Sequence, residues 1–173
     1  MHASAEAAFR EFAAAQWSPL GRMAFLLVGD RGHAEDLVQT VLAKMWSVWP
    51  RVADQAPEAY ARRVLTNAAT SWWRRRWHGE HATDALPDSV DQVTDTATRV
   101  ADRLALSEAL GRLPARQRAA VVLRFAEDLS EIETAAAMGC SVGNVKALAS
   151  RGLAALRASG VVTAAGLTNG ATR

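Results

Sequence analysis

The apolar positions of this chain recur at helical spacing in several separate stretches. Between residues 34 and 49 they form an i, i+3, i+4 stripe, made of Leu37, Val38, Val41, Leu42, Met45 and Trp46. The same period predicts helices over residues 5–28, 57–77 and 98–126, with breaks at Ser18-Pro19 and at Pro114. Pro50 is expected to end the helix over residues 34–49. The pattern therefore predicts an all-α fold.

Two further helices are predicted by their end signals. Ser130 and Glu133 have the spacing of a capping box, and Gly139 is expected to end that short helix. Ser141 can then cap a last helix over residues 142–158. Two helices joined by a short turn with glycine have the geometry of a DNA-binding helix-turn-helix, although a plain helical hairpin has the same pattern. In a helix-turn-helix, the groups that face DNA would be Ser141, Asn144, Lys146, Ser150 and Arg151.

Residues 59–79 combine positive charge with large aromatic rings and contain no Asp or Glu. The basic residues are Arg62, Arg63, Arg74, Arg75 and Arg76, and the rings are Trp72, Trp73 and Trp77. Arginine neutralises phosphate, and tryptophan stacks on bases that have left a duplex. This stretch is therefore a candidate for binding a single strand. The alternative is a helix with buried tryptophans and a solvated arginine face.

Composition divides the chain into two helical parts. The chain has 173 residues, and much of its apolar content is alanine, which buries little area per residue, so two small domains are favoured over one large core. Residues 80–98 carry acidic groups and no Lys or Arg, as in a flexible acidic linker. The predicted organisation is a domain at 5–79, the linker at 80–98, a domain at 99–159 and a disordered tail at 160–173.

The sequence lacks the patterns of an enzyme or a metal site. The four histidines have no metal-ligand spacing, and no phosphate-binding glycine loop occurs, so we expect no catalytic residues, metal or cofactor. One cysteine, Cys140, excludes a disulfide within the chain and fits a reducing compartment. No secretory signal or membrane-spanning stretch is recognisable. The expected location is the cytoplasm.

The order of these elements resembles a bacterial RNA polymerase sigma factor of the extracytoplasmic-function group (group 4 of the sigma-70 family). HAEDLVQTVLAKMW is similar to regions 2.1 and 2.2, and PEAYARRVLTNAATSWWRRR to regions 2.3 and 2.4. LGRLPARQRAAVVLRFAEDLS and MGCSVGNVKALASRGLAALR are similar to regions 4.1 and 4.2. The SWWRRR ending is similar to the SigE-like branch of actinobacteria. The resemblance covers nearly all of residues 5–158.

The resemblance implies a role for each group of residues. Glu35, Asp36 and Gln39, with Trp46 as an aromatic anchor, would bind core RNA polymerase at the clamp helices of the β′ subunit. Asn67 would lie near a flipped base of the −10 element. The path of the melted strand and of the upstream duplex would be lined by Arg62, Arg63, Trp72, Trp73, Arg74, Arg75 and Arg76. The −35 element would meet Ser141, Asn144, Lys146, Ser150 and Arg151.

The resemblance also names partners and rivals. The implied partners are core polymerase, including its β flap, promoter DNA and, in some relatives, an anti-sigma factor. Three positions depart from the pattern: Thr134 replaces an apolar core residue, and Leu148 and Leu153 replace arginines of the recognition helix. The rival interpretations are an autonomous helix-turn-helix regulator and an adaptor that binds only a regulatory protein.

Overall fold

The computed structural model describes residues 2–79 and 97–160, with side chains described for 4–76 and 104–160. Every regular element in these ranges is helical, which confirms the predicted all-α class. The α-helices are α1 (His2–Val28), α2 (Arg31–Val52), α3 (Pro57–Gly79), α4 (Ala97–Gly111), α5 (Ala115–Val121), α6 (Glu131–Met138) and α7 (Val142–Ala158). The predicted linker, for most of its length, and the tail beyond residue 160 lie outside the described residues.

The N-terminal unit, α1–α3, packs around one apolar core. Met23, Val41, Met45 and Leu65 are almost fully buried there. The predicted break at Ser18-Pro19 is wrong, because α1 continues through Pro19. An interior proline costs about 3 kcal/mol, but each buried Leu or Met side chain contributes about 1.5–3 kcal/mol. Leu20, Met23 and Leu27 follow Pro19 and are buried, so packing outweighs the local penalty.

Two other helix ends differ from the prediction. The second helix runs past Pro50 to Val52, because a proline in the last turn removes a single backbone hydrogen bond. The helix expected to reach residue 126 ends as an α-helix at Val121 and continues as a π-helical turn over Val122–Ala126. The amide of Glu127 donates to the carbonyl of Val122 across this turn, at 3.0 Å.

The C-terminal unit, α4–α7, contains the predicted helix-turn-helix in α6 and α7. The capping box is present: Ser130 Oγ accepts from the Glu133 amide at 3.2 Å, and Glu133 accepts from the Ser130 amide at 2.8 Å. Gly139 ends α6 with φ 61°, a left-handed conformation that glycine adopts without strain. Ser141 caps α7 as predicted. Local capping signals therefore form the predicted pair of helices joined by a short turn.

The two units are in contact with each other. Helix α3 packs against α5 and α6, and α1 packs against α4 and the π-helical turn. The buried apolar residues of both units form one continuous cluster. None of the described helices is both long and apolar enough to cross a membrane.

Candidate nucleic-acid interface

One face of α3 carries a polar stripe. Asn67, Thr70, Ser71 and Arg74 have the spacing i, i+3, i+4, i+7, which places them on one side of a helix. They border a groove of about 250 Å³ whose lining also includes Thr66, Arg116 and Met138. Asn67 and Arg74 are exposed. A face with an amide, hydroxyls and arginine offers hydrogen bonds to a base and charge to a phosphate.

Trp72 and Trp73 of α3 point away from this stripe, into contacts with the protein. The Trp73 indole nitrogen donates to the carbonyl oxygen of Leu27 at 2.9 Å. The Trp72 ring lies 5.0 Å from the His33 ring and meets Trp73 edge to face at 4.8 Å. Both rings are half-buried. In this structure the rings of Trp72 and Trp73 therefore both pack against other protein groups. The Trp77 side chain lies outside the described residues.

The predicted arginines of α3 fall into two groups. Arg63, Arg74 and Arg75 are exposed, as expected for phosphate contacts. Arg76 is half-buried and stacks on the tryptophans, with its guanidinium carbon 5.1 Å from the Trp72 ring centre. Arg62 is also half-buried. The sequence predicted that all five arginines would act together. In the structure, Arg62 and Arg76 are half-buried because they face the rest of the protein.

An acidic residue lies beside this basic helix. Asp30 caps α2 by accepting from the His33 amide at 2.7 Å, and its carboxylate also contacts the His33 ring at 2.6 Å. The amide hydrogen bond lowers the pKa of Asp30, with smaller contributions from the His33 side chain and from Arg76. The carboxylate thus stays ionised and holds His33, on which the Trp72 ring rests.

The predicted −35 residues are all exposed on the helix-turn-helix. Helix α7 buries Val145, Ala149, Gly152 and Leu156 and turns its other side outward. Asn144 and Arg151 are seven residues apart, about two turns, so they share a face. Lys146 lies about 200° from Asn144 around the helix and pairs with Glu131 of α6 at 3.4 Å. The structure therefore brings Asn144 and Arg151 together and separates Lys146 from them.

The predicted polymerase-contact residues form a coherent stripe on α2. Glu35, Gln39 and Trp46 lie on one line of the helix, while Asp36 lies about 100° to one side. All four are exposed, and Trp46 is 49% exposed. Its ring is supported from behind by Phe9, at 5.1 Å. A large ring held in place at the surface is typical of an interface anchor.

Arg118 is the residue that the sequence prediction missed. It is 1% exposed, with its guanidinium carbon 4.1 Å from the centre of the Trp73 ring. It donates to the carbonyls of Leu110, Gly111 and Leu113 at 2.6, 2.7 and 3.1 Å, and to Leu27 at 2.7 Å. Burial lowers its pKa to about 10, so it remains charged at neutral pH. Its position just before the apolar run of residues 119–123 was the available signal.

Two family descriptions match the chain. "Sigma-70 region 2" matches residues 18–79, and "Sigma-70, region 4" matches residues 103–156. These are the two units that carry the stripes described above. The chain belongs to the sigma-70 family of RNA polymerase sigma factors. Its function is promoter-directed transcription initiation, and the region 2 match excludes the rival of an autonomous helix-turn-helix regulator.

The relatives place the chain in the extracytoplasmic-function group. It is 43% identical to "RNA polymerase sigma-E factor" of Streptomyces avermitilis over 86% of this chain and 83% of that one. It is 30% identical to "ECF RNA polymerase sigma factor SigL" of Mycobacterium tuberculosis over 90% of each chain. Among solved structures, it resembles the sigma factor RpoE of Bartonella quintana in complex with the anti-sigma factor NepR. That match has 25% identity, a TM-score of 0.64, and covers 87% of this chain and 94% of that one.

Proposed function

We propose that the three exposed stripes divide the work of initiation among them. The α2 stripe of Glu35, Gln39 and Trp46, with Asp36 at its edge, docks on the clamp helices of core polymerase. The α3 stripe receives the melted strand of the −10 element, and the start of α7 reads the −35 element. In this scheme the units correspond to domains at residues 5–79 and 99–159, joined by the linker and followed by a tail.

The polar stripe of α3 carries the proposal. Asn67 and Arg74 lie on one face with the hydroxyls of Thr70 and Ser71, and exposed Arg63 and Arg75 add charge nearby. A base that leaves the duplex costs a few kcal/mol to extrude, and contacts to that base must return about as much. A face that combines an amide with arginines supplies both kinds of contact. The chain would then drive strand separation by binding energy, without being an enzyme itself.

The proposal also assigns partners and location. Core RNA polymerase and promoter DNA are the partners that the family binds, and the complex in the Bartonella structure supports an anti-sigma factor as a further partner. We place the chain in the bacterial cytoplasm, where polymerase acts. The β flap would meet the C-terminal unit.

The test separates polymerase binding from strand opening. Promoters are first selected from a DNA library with wild-type chain and core polymerase. Asn67→Ala and Arg74→Ala should bind core polymerase normally but reduce permanganate reactivity of the −10 thymines about tenfold or more. Gln39→Ala and Trp46→Ala should weaken core binding, and Ser47→Ala, also exposed on α2, is the matched control. Normal melting by both α3 variants would remove this stripe from the mechanism.

A further inference from the structure

The last turns of α3 extend past the part of the helix that is anchored in the core. Ala61, Leu65 and Ala69 are buried where α3 packs in the N-terminal unit. Among the described side chains of residues 70–76, none is buried. A helix end that buries no side chain opens and bends more easily than the rest of the helix. Arg74 and Arg75 lie in this part, so other contacts must fix their direction.

The corner between α1 and α2 supplies such contacts. The Trp73 indole nitrogen donates to the Leu27 carbonyl, in the last turn of α1, at 2.9 Å. The Trp72 ring lies on the His33 ring of α2, with centroids 5.0 Å apart and planes tilted by 53°. Aromatic rings attract each other at centroid distances of about 4.5–7 Å. The end of α3 therefore rests on the corner through two adjacent tryptophans.

Asp30 fixes the ring on which Trp72 rests. Its Oδ1 atom accepts from the His33 amide at 2.7 Å and lies 2.6 Å from the ring Nδ1. A carboxylate only accepts hydrogen bonds, so Nδ1 carries the hydrogen that joins the two groups. The His33 side chain is 50% exposed, so packing alone would leave it several rotamers, and the hydrogen bond to Asp30 selects one. We call Asp30, His33 and Trp72 the brace.

Arg76 connects the brace to the basic end of α3. Its guanidinium carbon lies 5.1 Å from the centre of the Trp72 ring, within the range of a cation–π contact. It is also close enough to Asp30 to help lower the pKa of that carboxyl. A carboxylate beside a helix that faces DNA opposes the binding of phosphates. Its contacts with His33 and Arg76 give Asp30 a structural reason to be there.

We propose that Asp30 and His33 are positioning residues for promoter DNA: through Trp72 they hold the end of α3 in the direction in which Arg74 and Arg75 meet phosphates. The inference rests on the proposed function of α3. Neither positioning residue touches DNA, and the whole brace lies within the N-terminal unit. Its loss should therefore weaken the contacts of these two arginines while the core of the unit stays intact.

Arg63 is an exposed arginine of the same helix that does not depend on the brace. It lies between Ala61 and Leu65, both buried, so the core fixes its turn. Loss of the brace should leave any phosphate contact of Arg63 unchanged. The difference between Arg63 and the arginines at the end of α3 separates a positioning role from general stabilisation of the fold.

The experiment is a double-mutant cycle in the complete complex of this chain with core polymerase. Binding to a promoter selected as above is measured at a series of salt concentrations. His33→Ala is made in the wild-type chain, in an Arg63→Ala chain and in an Arg74→Ala/Arg75→Ala chain. Ser47→Ala, exposed on α2, is the control. Circular dichroism and binding to core polymerase verify that each variant is folded and assembled.

Two substitutions of Asp30 separate its contact with the ring from its role as helix cap. Asp30→Ser keeps a capping oxygen for the start of α2, but its side chain is too short to reach the His33 ring. Asp30→Asn keeps an oxygen that accepts from both the amide and the ring. Asp30→Ser should therefore weaken promoter binding as His33→Ala does, and Asp30→Asn should bind as the wild-type chain does.

We expect His33→Ala to weaken promoter binding about fivefold in the wild-type and Arg63→Ala chains. It should have no further effect in the Arg74→Ala/Arg75→Ala chain, where the positioned groups are gone. The slope of log affinity against log salt should become shallower by about 1 for Arg63→Ala and by about 2 for Arg74→Ala/Arg75→Ala. Binding to core polymerase should be unchanged in all of them.

An equal loss from His33→Ala in all three chains would assign this ring to folding alone and would overturn the proposal. Wild-type binding by His33→Ala, or equal losses from Asp30→Ser and Asp30→Asn, would overturn it as well. If the Arg74→Ala/Arg75→Ala chain is impaired while His33→Ala is not, the brace is refuted and the α3 assignment survives. If Asn67→Ala and Arg74→Ala/Arg75→Ala bind and melt promoters normally, the α3 assignment itself fails.

Discussion

Substitution of Gly152 by alanine should destabilise the C-terminal unit, although alanine is the better helix former. Gly152 is buried in α7 where that helix crosses α5. A Cβ atom there would lie 2.7 Å from Val121 Cγ2 and 3.2 Å from the Gln117 carbonyl oxygen. The valine methyl is held in the core and the carbonyl is backbone, so neither can move freely. Either α5 and α7 must move apart, or the new methyl group must stay in a strained contact with Val121 and Gln117.

The magnitude follows from two opposing effects. Overpacking a core by one methyl group costs about 1–3 kcal/mol. Replacing glycine by alanine inside a helix gains about 1 kcal/mol. The net loss at Gly152 should therefore be about 1 kcal/mol, in a range from about 0 to 2. Gly21→Ala is the matched control, because Gly21 also lies inside a helix and a Cβ there would meet no atom within 4 Å in the part of the chain that the structure describes.

Thermal and urea unfolding followed by circular dichroism measure both variants. Gly21→Ala should raise the melting temperature by about 2–4 °C, the shift expected for 1 kcal/mol in a chain of this size. Gly152→Ala should lower it by a similar amount. The difference between the two variants isolates the cost of the helix crossing. Equal stabilisation by both substitutions would refute the reasoning, since α5 and α7 could then not approach as closely as described.

Two further predictions concern groups buried without full compensation. Thr134 is fully buried and its hydroxyl oxygen has no hydrogen-bond partner among the described residues, so Thr134→Val should raise the free energy of unfolding by about 1 kcal/mol; a lower urea midpoint would contradict this. The pKa of Glu127 is raised above 4.5 in the folded chain, so its contribution to stability is present below pH 4.5 and is lost as the pH rises through the raised value. The free energy of unfolding, measured by urea titration at a series of pH values, should fall over that window relative to the Glu127→Gln variant, which lacks this titration.

Much of the fold follows from local signals in the sequence. Capping and helix-ending signals act within one helix turn. The structure has the predicted caps and helix ends at Ser130, Glu133, Gly139 and Ser141. The predicted break at Pro19 is wrong because a proline in the sequence indicates only the local cost of a lost backbone hydrogen bond. The burial of the residues that follow it depends on distant helices, which the local pattern does not show. The π-helical turn over Val122–Ala126 contains no glycine or proline, so no local sequence pattern predicted the change from α-helix to π-helix.

The candidate site was predictable in its residue types and less so in their orientation. The exposed side chains of α2 and α7 follow from helical periodicity, because their apolar stripes fix the opposite faces. The contacts of Trp73 do not, since its partners are a backbone carbonyl 46 residues earlier and an arginine of the other unit. Every residue has a backbone carbonyl, so the sequence does not indicate which side chain will donate to a given one.

Arg118 holds the C-terminal unit together whether or not the two units touch, because three of its four acceptor carbonyls belong to that unit. Selection on folding alone therefore maintains Arg118. The ring at position 73 belongs to the N-terminal unit, and its replacement need not damage the C-terminal unit. The contact between the two units can thus change by substitution at position 73 while the C-terminal unit keeps its fold.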